Sequence, residues 1–132
     1  MVEQYGVYWV ELDPTRGGEM AKTRPCVVVT PSDLNMYLTI VVIAPITSTI
    51  RNYPYRVLCS VAGREGEIAT DQIRTVDKSR IKRKIGELNN REIEELKEVF
   101  KRIGIGQKDD FGQPYEEWFI TDYRLLCGRS LQ

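Results

Sequence analysis

The sequence predicts a small, mainly β fold (α+β), a barrel-like sheet closed by one amphipathic C-terminal helix. Three observations predict it. Residues 5–76 are short runs of β-branched and aromatic residues broken by proline, glycine, asparagine and aspartate, a strand-and-turn pattern. The apolar period then changes, and Ile93, Leu96, Val99, Phe100 and Ile103 fall at helical spacing. Finally, 132 residues with 42% hydrophobic and 29% charged side chains suit one domain. A domain of that length buries roughly two thirds of its unfolded surface, enough for an unaided core.

The elements follow in order. Tyr5 to Leu12 carries Tyr5, Val7, Tyr8, Trp9 and Val10 and reads as a strand, broken by Asp13-Pro14-Thr15-Arg16-Gly17-Gly18. Pro25 to Thr30 is a compact strand stopped by Pro31, and Ser32 to Asn35 is a turn or one short helical turn. Leu38 to Ile46 is nearly continuously apolar, which predicts a central strand covered on both faces; Pro45 implies an edge or a bulge near its end. Tyr53, Tyr55, Val57 and Cys59 alternate and predict a strand over 53–59 with these residues, the tyrosines included, facing the core. Glu67 to Val76 and Arg80 to Ile85 predict two more strands. Asn89 is a good helix N-cap, and Glu92 three residues on completes a capping box. Gly104 stands at the C′ position, and Glu94 with Lys97 and Glu98 with Lys101 and Arg102 supply surface ion pairs. The chain divides into a domain over 1–104 and an acidic, aromatic extension over 105–132. The extension reads either as a short helix or as a strand near Trp118 to Leu126.

Composition excludes whole classes of chemistry. With no histidine there is no Ser-His-Asp triad, no Cys-His pair and no HExxH zinc site. The three cysteines, Cys26, Cys59 and Cys127, form no CxxC pair, so they read as reduced, buried fillers and no metal site is expected. No apolar run reaches the roughly 20 residues of a membrane-spanning helix. The first residues lack a basic n-region and a long apolar core, which predicts no signal peptide and a cytoplasmic protein. Net charge is zero, from 19 basic and 19 acidic side chains. That balance hides a segment, 74–84, in which six basic residues face Asp77 alone. Such a stretch is either a solvated strand and turn or a phosphate-binding surface.

Four ordered blocks carry a resemblance. Gly6-Val7-Tyr8-Trp9-Val10-Glu11-Leu12-Asp13-Pro14-Thr15-Arg16-Gly17-Gly18-Glu19 resembles the N-terminus of the MazF/PemK/Kid toxins of bacterial toxin–antitoxin systems. Thr23-Arg24-Pro25-Cys26-Val27-Val28-Val29-Thr30-Pro31 is similar to that family's Arg-Pro strand, Ala44-Pro45-Ile46-Thr47-Ser48 to its Pro-x-Thr-Ser motif, and Asp71-Gln72-Ile73-Arg74-Thr75-Val76-Asp77 to its Asp-Gln motif. The resemblance implies an SH3-like barrel of five to seven strands, a two-fold homodimer, and a metal- and cofactor-independent endoribonuclease. Such an enzyme cuts single-stranded RNA at a short sequence, leaves 2′,3′-cyclic phosphate and 5′-hydroxyl ends, and is blocked by a MazE-like antitoxin lying in the RNA groove. The alternatives are a non-catalytic toxin similar to CcdB, which binds DNA gyrase, and an inactive SH3-like interaction module.

Cleavage needs a proton removed from the 2′-hydroxyl, a proton given to the leaving 5′-oxygen, and neutralised charge on the phosphorane. Without histidine these tasks fall to Arg, Glu, Asp, Thr and Ser. Arg24 is the first candidate, since a guanidinium holds a phosphate with two charge-assisted bonds. Thr47 can donate to a phosphate oxygen or orient the 2′-hydroxyl, with Ser48 beside it, or it can satisfy a backbone group at the strand end. Glu19 and Asp71 are the carboxylate candidates. A second pattern in the family pairs the aspartate with an arginine and a histidine, but here Gly18 stands for the histidine and Ala69 for the arginine. That favours the Arg24/Thr47 arrangement, with Asp71 orienting substrate or held in a salt bridge. Arg16, Lys22 and Arg74 are candidates for RNA phosphates and Gln72 for a base edge. Trp9, Tyr53 and Tyr55 could stack on bases. The extension reads as added packing or a disordered end, or as a segment that folds back or crosses to a partner and partly occludes the RNA groove.

Overall fold

The computed structural model describes residues 2–12 and 22–102. Seven strands form one curled antiparallel sheet: β1 (Gly6–Glu11), β2 (Thr23–Val28), β3 (Ile40–Thr47), β4 (Val57–Val61), β5 (Arg64–Ile68), β6 (Arg74–Asp77) and β7 (Ile81–Glu87). A one-turn helix α1 (Ser32–Asn35) links β2 to β3, and α2 (Asn90–Arg102) follows β7. The order β4-β5-β3-β2-β1-β7, with β6 also on β3, makes β3 the centre of a half-barrel. The mainly β class and the C-terminal helix are as the sequence predicts.

Both faces of the sheet are buried because the strand period of two splits apolar residues between them. One face gathers Val7, Val27, Ala44, Val57 and Ile68, covered by Leu96 and Phe100 of α2. The other gathers Tyr8, Val10, Cys26, Val28, Val41, Ile43 and Val76. At its N-terminus α2 is locked by the expected capping box: Asn89 Oδ1 accepts from the Glu92 amide at 2.8 Å, and Glu92 Oε1 accepts from the Asn89 amide at 2.9 Å. The second Glu92 oxygen accepts from the Ser60 amide at 2.7 Å, so this buried carboxylate also ties the helix to β4.

Three strand expectations are corrected. The strand after residue 53 begins only at Val57: Asn52 and Tyr55 adopt positive φ, 55° and 69°, and with Pro54 they form a turn. Strand alternation therefore does not reach the tyrosines, and Tyr53 and Tyr55 are 50% and 48% exposed rather than core. The predicted strand 67–76 is two strands parted by a 3₁₀ turn over Thr70–Gln72, and β5 starts earlier, at Arg64, behind an Ala62-Gly63 turn with φ of 52° and 76°. Pro45 lies in the interior strand, not at an edge. It sits where β3 changes partner, from β6 at Ile40–Ile43 to β5 at Ile46–Thr47, a gap that tolerates a missing N–H.

On the α2 surface, Glu94–Lys97 and Glu98–Arg102 pair at 3.6 Å, and Arg91–Glu95 adds a pair at 2.6 Å. Cys26 and Cys59 are free and buried, and burial pushes both thiols up to about 12. Gly104, Cys127 and the 105–132 extension lie outside the described residues.

Candidate active site

A groove of about 640 Å³ runs between the ends of β2 and β3 on one side and the β4–β5 hairpin on the other, over a floor from β1 and β7. The β2–β3 ladder ends at Cys26 opposite Pro45. Extending its register one step in two brings Arg24 opposite Thr47, where the strands have stopped pairing and open into the groove. Both residues line it, with Ser48 beside them and Trp9 and Pro25 as apolar wall. Arg24 is exposed and has no ion pair among the described residues.

Thr47 Oγ1 accepts a hydrogen bond from the Thr49 amide at 3.1 Å. This local bond fixes the rotor and leaves the hydroxyl proton available to a ligand. Gly66 lies close against the backbone of Thr47. A Cβ built on Gly66 would stand 2.9 Å from the Thr47 carbonyl oxygen and 2.9 Å from Ile46 Cγ2, so only glycine permits this approach.

The loop that carries Ser48 and Thr49 is anchored by a buried carboxylate. Glu67, opposite Thr47 in register, accepts from the Asn52 amide at 3.0 Å, the Arg51 amide at 3.4 Å and the Arg56 guanidinium at 3.0 Å. Burial pushes the Glu67 carboxyl up, but these bonds together outweigh it and hold it below its ordinary value. Arg56 also clasps Asp71 through two bonds, at 3.0 and 3.1 Å, and lies 4.8 Å from the Tyr53 ring centroid. Its bond to Asp71 holds that carboxyl below the usual range.

The candidates therefore divide. Arg24, Thr47 and Ser48 come together in the groove. Asp71, Gln72 and Arg74 are not among its lining residues. Asp71 is in the salt bridge to Arg56, Gln72 closes the 3₁₀ turn through its amide to the Ala69 carbonyl at 3.0 Å, and Arg74 lies in β6 opposite Ile43. Lys22 is exposed, two residues before Arg24, and is not among the lining residues; its carbonyl accepts from the Leu12 amide at 3.1 Å. Arg16 and Glu19 lie in the 13–21 segment, outside the described residues. Among the aromatics, Trp9 lines the groove and the two tyrosines do not. Sequence reasoning missed Arg64, Glu65 and Arg83, which also line it, and the anchoring pair Arg56–Glu67. The basic stretch was the available signal for Arg83; nothing local marked the others.

Known proteins resemble the chain over this same region. The family model described as PemK-like, MazF-like toxin of type II toxin–antitoxin system matches residues 3–104. The endoribonuclease MazF9 of Mycobacterium tuberculosis is 32% identical over 111 residues, covering 76% of this chain and 94% of that protein. The endoribonuclease toxin MazF of Escherichia coli K12 is 35% identical over 68 residues, 52% of this chain, and the chain spans only 61% of that relative. Among solved structures, a MazE–MazF complex from Deinococcus radiodurans superposes with a TM-score of 0.65 at 25% identity, over 78% of this chain and 92% of that one.

Proposed function

The chain belongs to the family of PemK-like, MazF-like toxins of type II toxin–antitoxin systems, and from that premise we propose that it is a toxin whose groove cleaves single-stranded RNA. The observation that carries the reading is that Arg24 and Thr47 line one groove, just past the end of the β2–β3 ladder. A guanidinium and a hydroxyl on one groove can hold the non-bridging oxygens of a phosphodiester.

In the proposed step the RNA 2′-oxygen attacks the adjacent phosphorus as its proton leaves to a base. The P–O5′ bond breaks, and the 5′-oxygen takes up a proton. The products are a 2′,3′-cyclic phosphate and a 5′-hydroxyl. Arg24 carries the charge that builds on the phosphorane, since a guanidinium keeps its proton and offers only donors. Thr47 donates its free hydroxyl proton to a phosphate oxygen, and Ser48 extends that wall. Glu19 is the carboxylate assigned to the base or to holding Arg24, and Arg16 and Lys22 are assigned to RNA phosphates. Asp71 acts at a distance, through Arg56 and Glu67, by keeping the 48–56 loop in place. No step uses a metal or cofactor.

A homodimer, a MazE-like antitoxin that occupies the groove, and action on messenger RNA in the cytoplasm complete the proposal. The named relatives are endoribonucleases, which disfavours the gyrase-binding and inert-module alternatives. The test is cleavage of a mixed RNA in EDTA by the wild type and by Arg24→Ala, with a thermal melt beside it. Loss of cleavage with an unchanged melt is expected; a fully active variant refutes the assignment.

A further inference from the structure

Most of the basic side chains over 78–84 are held by partners within the fold, two of them by carboxylates. Lys78 Nζ donates to the Asn35 carbonyl, and Arg80 donates to the Glu11 carbonyl at 3.3 Å. Lys82 pairs with Glu11 at 3.4 Å and Lys84 with Glu3 at 3.2 Å. Arg83 is different. Val10 pairs with Ile81 and Tyr8 with Lys84, so Lys82 and Arg83 together oppose the single residue Trp9. This is a β-bulge, a device that re-aims side chains. Lys82 and Lys84 meet their carboxylates outside the groove, while Arg83 and Ile85 line it beside Trp9. Across the groove stands Arg64, first residue of β5 after the Ala62-Gly63 turn. Both arginines are exposed, and neither has an ion pair among the described residues.

Two cations without an ion pair among the described residues, one of them brought to the groove by a bulge, make a surface for anions beyond Arg24. Glu65 is the one acidic side chain among the lining residues, against Arg24, Arg64 and Arg83. We propose that Arg83 and Arg64 form a second phosphate site of the groove, holding the backbone of a single-stranded nucleic acid next to the phosphate at Arg24. The proposal rests on the reading of the groove as an RNA site. Guanidinium-to-phosphate contacts of this kind set register and affinity, not base choice.

The test measures binding of a 12-nucleotide single strand with 2′-O-methyl sugars, which cannot be cleaved by 2′-hydroxyl attack, across a salt series. Each phosphate contact to a single strand contributes about 0.7 to the slope of log affinity against log salt. Arg83→Gln and Arg64→Gln should each lower the slope by about 0.7 and raise KM with kcat unchanged, while Lys82→Gln and Lys84→Gln leave the slope as it was. Thermal melts confirm that each variant is folded. If the wild type cleaves RNA but the arginine variants keep its slope, the second phosphate site is wrong and the nuclease reading stands. Equal losses from all four variants also overturn it, since a diffuse field would then explain them. A lowered slope in the arginine variants, with no cleavage by the wild type, leaves the phosphate site and overturns the nuclease.

Discussion

Gly66→Ala puts the geometry behind Thr47 to a direct test. The added methyl would stand 2.9 Å from Ile46 Cγ2 and 2.9 Å from the Thr47 carbonyl oxygen. The isoleucine methyl can turn aside, but the carbonyl belongs to a strand paired through Ile46–Ile68 and Thr47–Glu67 and must move as backbone. Overpacking of this kind costs about 1–3 kcal/mol, and replacing a strand glycine by alanine returns about 0.5–1 kcal/mol. The net expectation is a loss of about 1–2 kcal/mol, a fall in Tm of about 4–8 °C at this chain length. The chemical effect should be larger in proportion. Relieving the clash displaces Thr47 by about 0.5 Å, and since a 1 Å misplacement of a positioned group costs about 100-fold, kcat should fall about tenfold. Gly86→Ala is the control, because its methyl would meet one side-chain atom, Val61 Cγ1 at 3.0 Å, and no backbone. Melting curves and single-turnover cleavage of a short RNA read both effects. A Gly66→Ala protein with wild-type Tm and wild-type cleavage would refute the reasoning.

Further predictions concern the anchoring network, the cap and a buried thiol. The Glu67 and Asp71 carboxyls are lowered in the folded state, so the stability they add is present above the unfolded carboxylate range and is lost as pH falls through their folded values. Melts between pH 7 and 3 should therefore show a steep loss of Tm below about pH 4 that Glu67→Gln makes shallower. Asn89→Ala removes the cap oxygen that holds the Glu92 amide and should cost about 1 kcal/mol without changing KM, read by urea unfolding and steady-state cleavage. Cys26 is fully buried with its thiol pushed up to about 12, so at pH 8 a thiol reagent should modify it only at the rate of unfolding. Fast labelling of Cys26 in the native protein, read by peptide mapping, would contradict its burial.

Much of this arrangement was legible in the sequence because the signals are local. The capping box at Asn89 and Glu92 and the apolar run of β3 are readable from a few adjacent residues. The convergence of Arg24 with Thr47 followed from motif resemblance, and the structure supplies its cause, a shared register that stops pairing at Cys26 and Pro45. The misreadings were long-range or conformational. Tyr53 and Tyr55 alternate like a strand, but positive φ at Asn52 and Tyr55 turns the chain there. The Arg56–Glu67–Asp71 network joins residues up to 15 positions apart, and no local pattern announces a buried ion pair. Arg83 was visible only as one charge in a basic run; its difference from Lys82 and Lys84 comes from a bulge that depends on how β7 meets β1.

Whether Arg24 and Thr47 act on an RNA phosphodiester is decided by mapping the cleavage ends on one long RNA in EDTA. The ends should be 2′,3′-cyclic phosphate and 5′-hydroxyl, at a recurring short sequence. Arg24→Ala should lower the rate by at least about 100-fold while the melt is unchanged, the usual loss when one charge-stabilising donor is removed. Ends bearing 5′-phosphate, cleavage that stops in EDTA, or an Arg24→Ala protein that cuts at the wild-type rate would contradict that action.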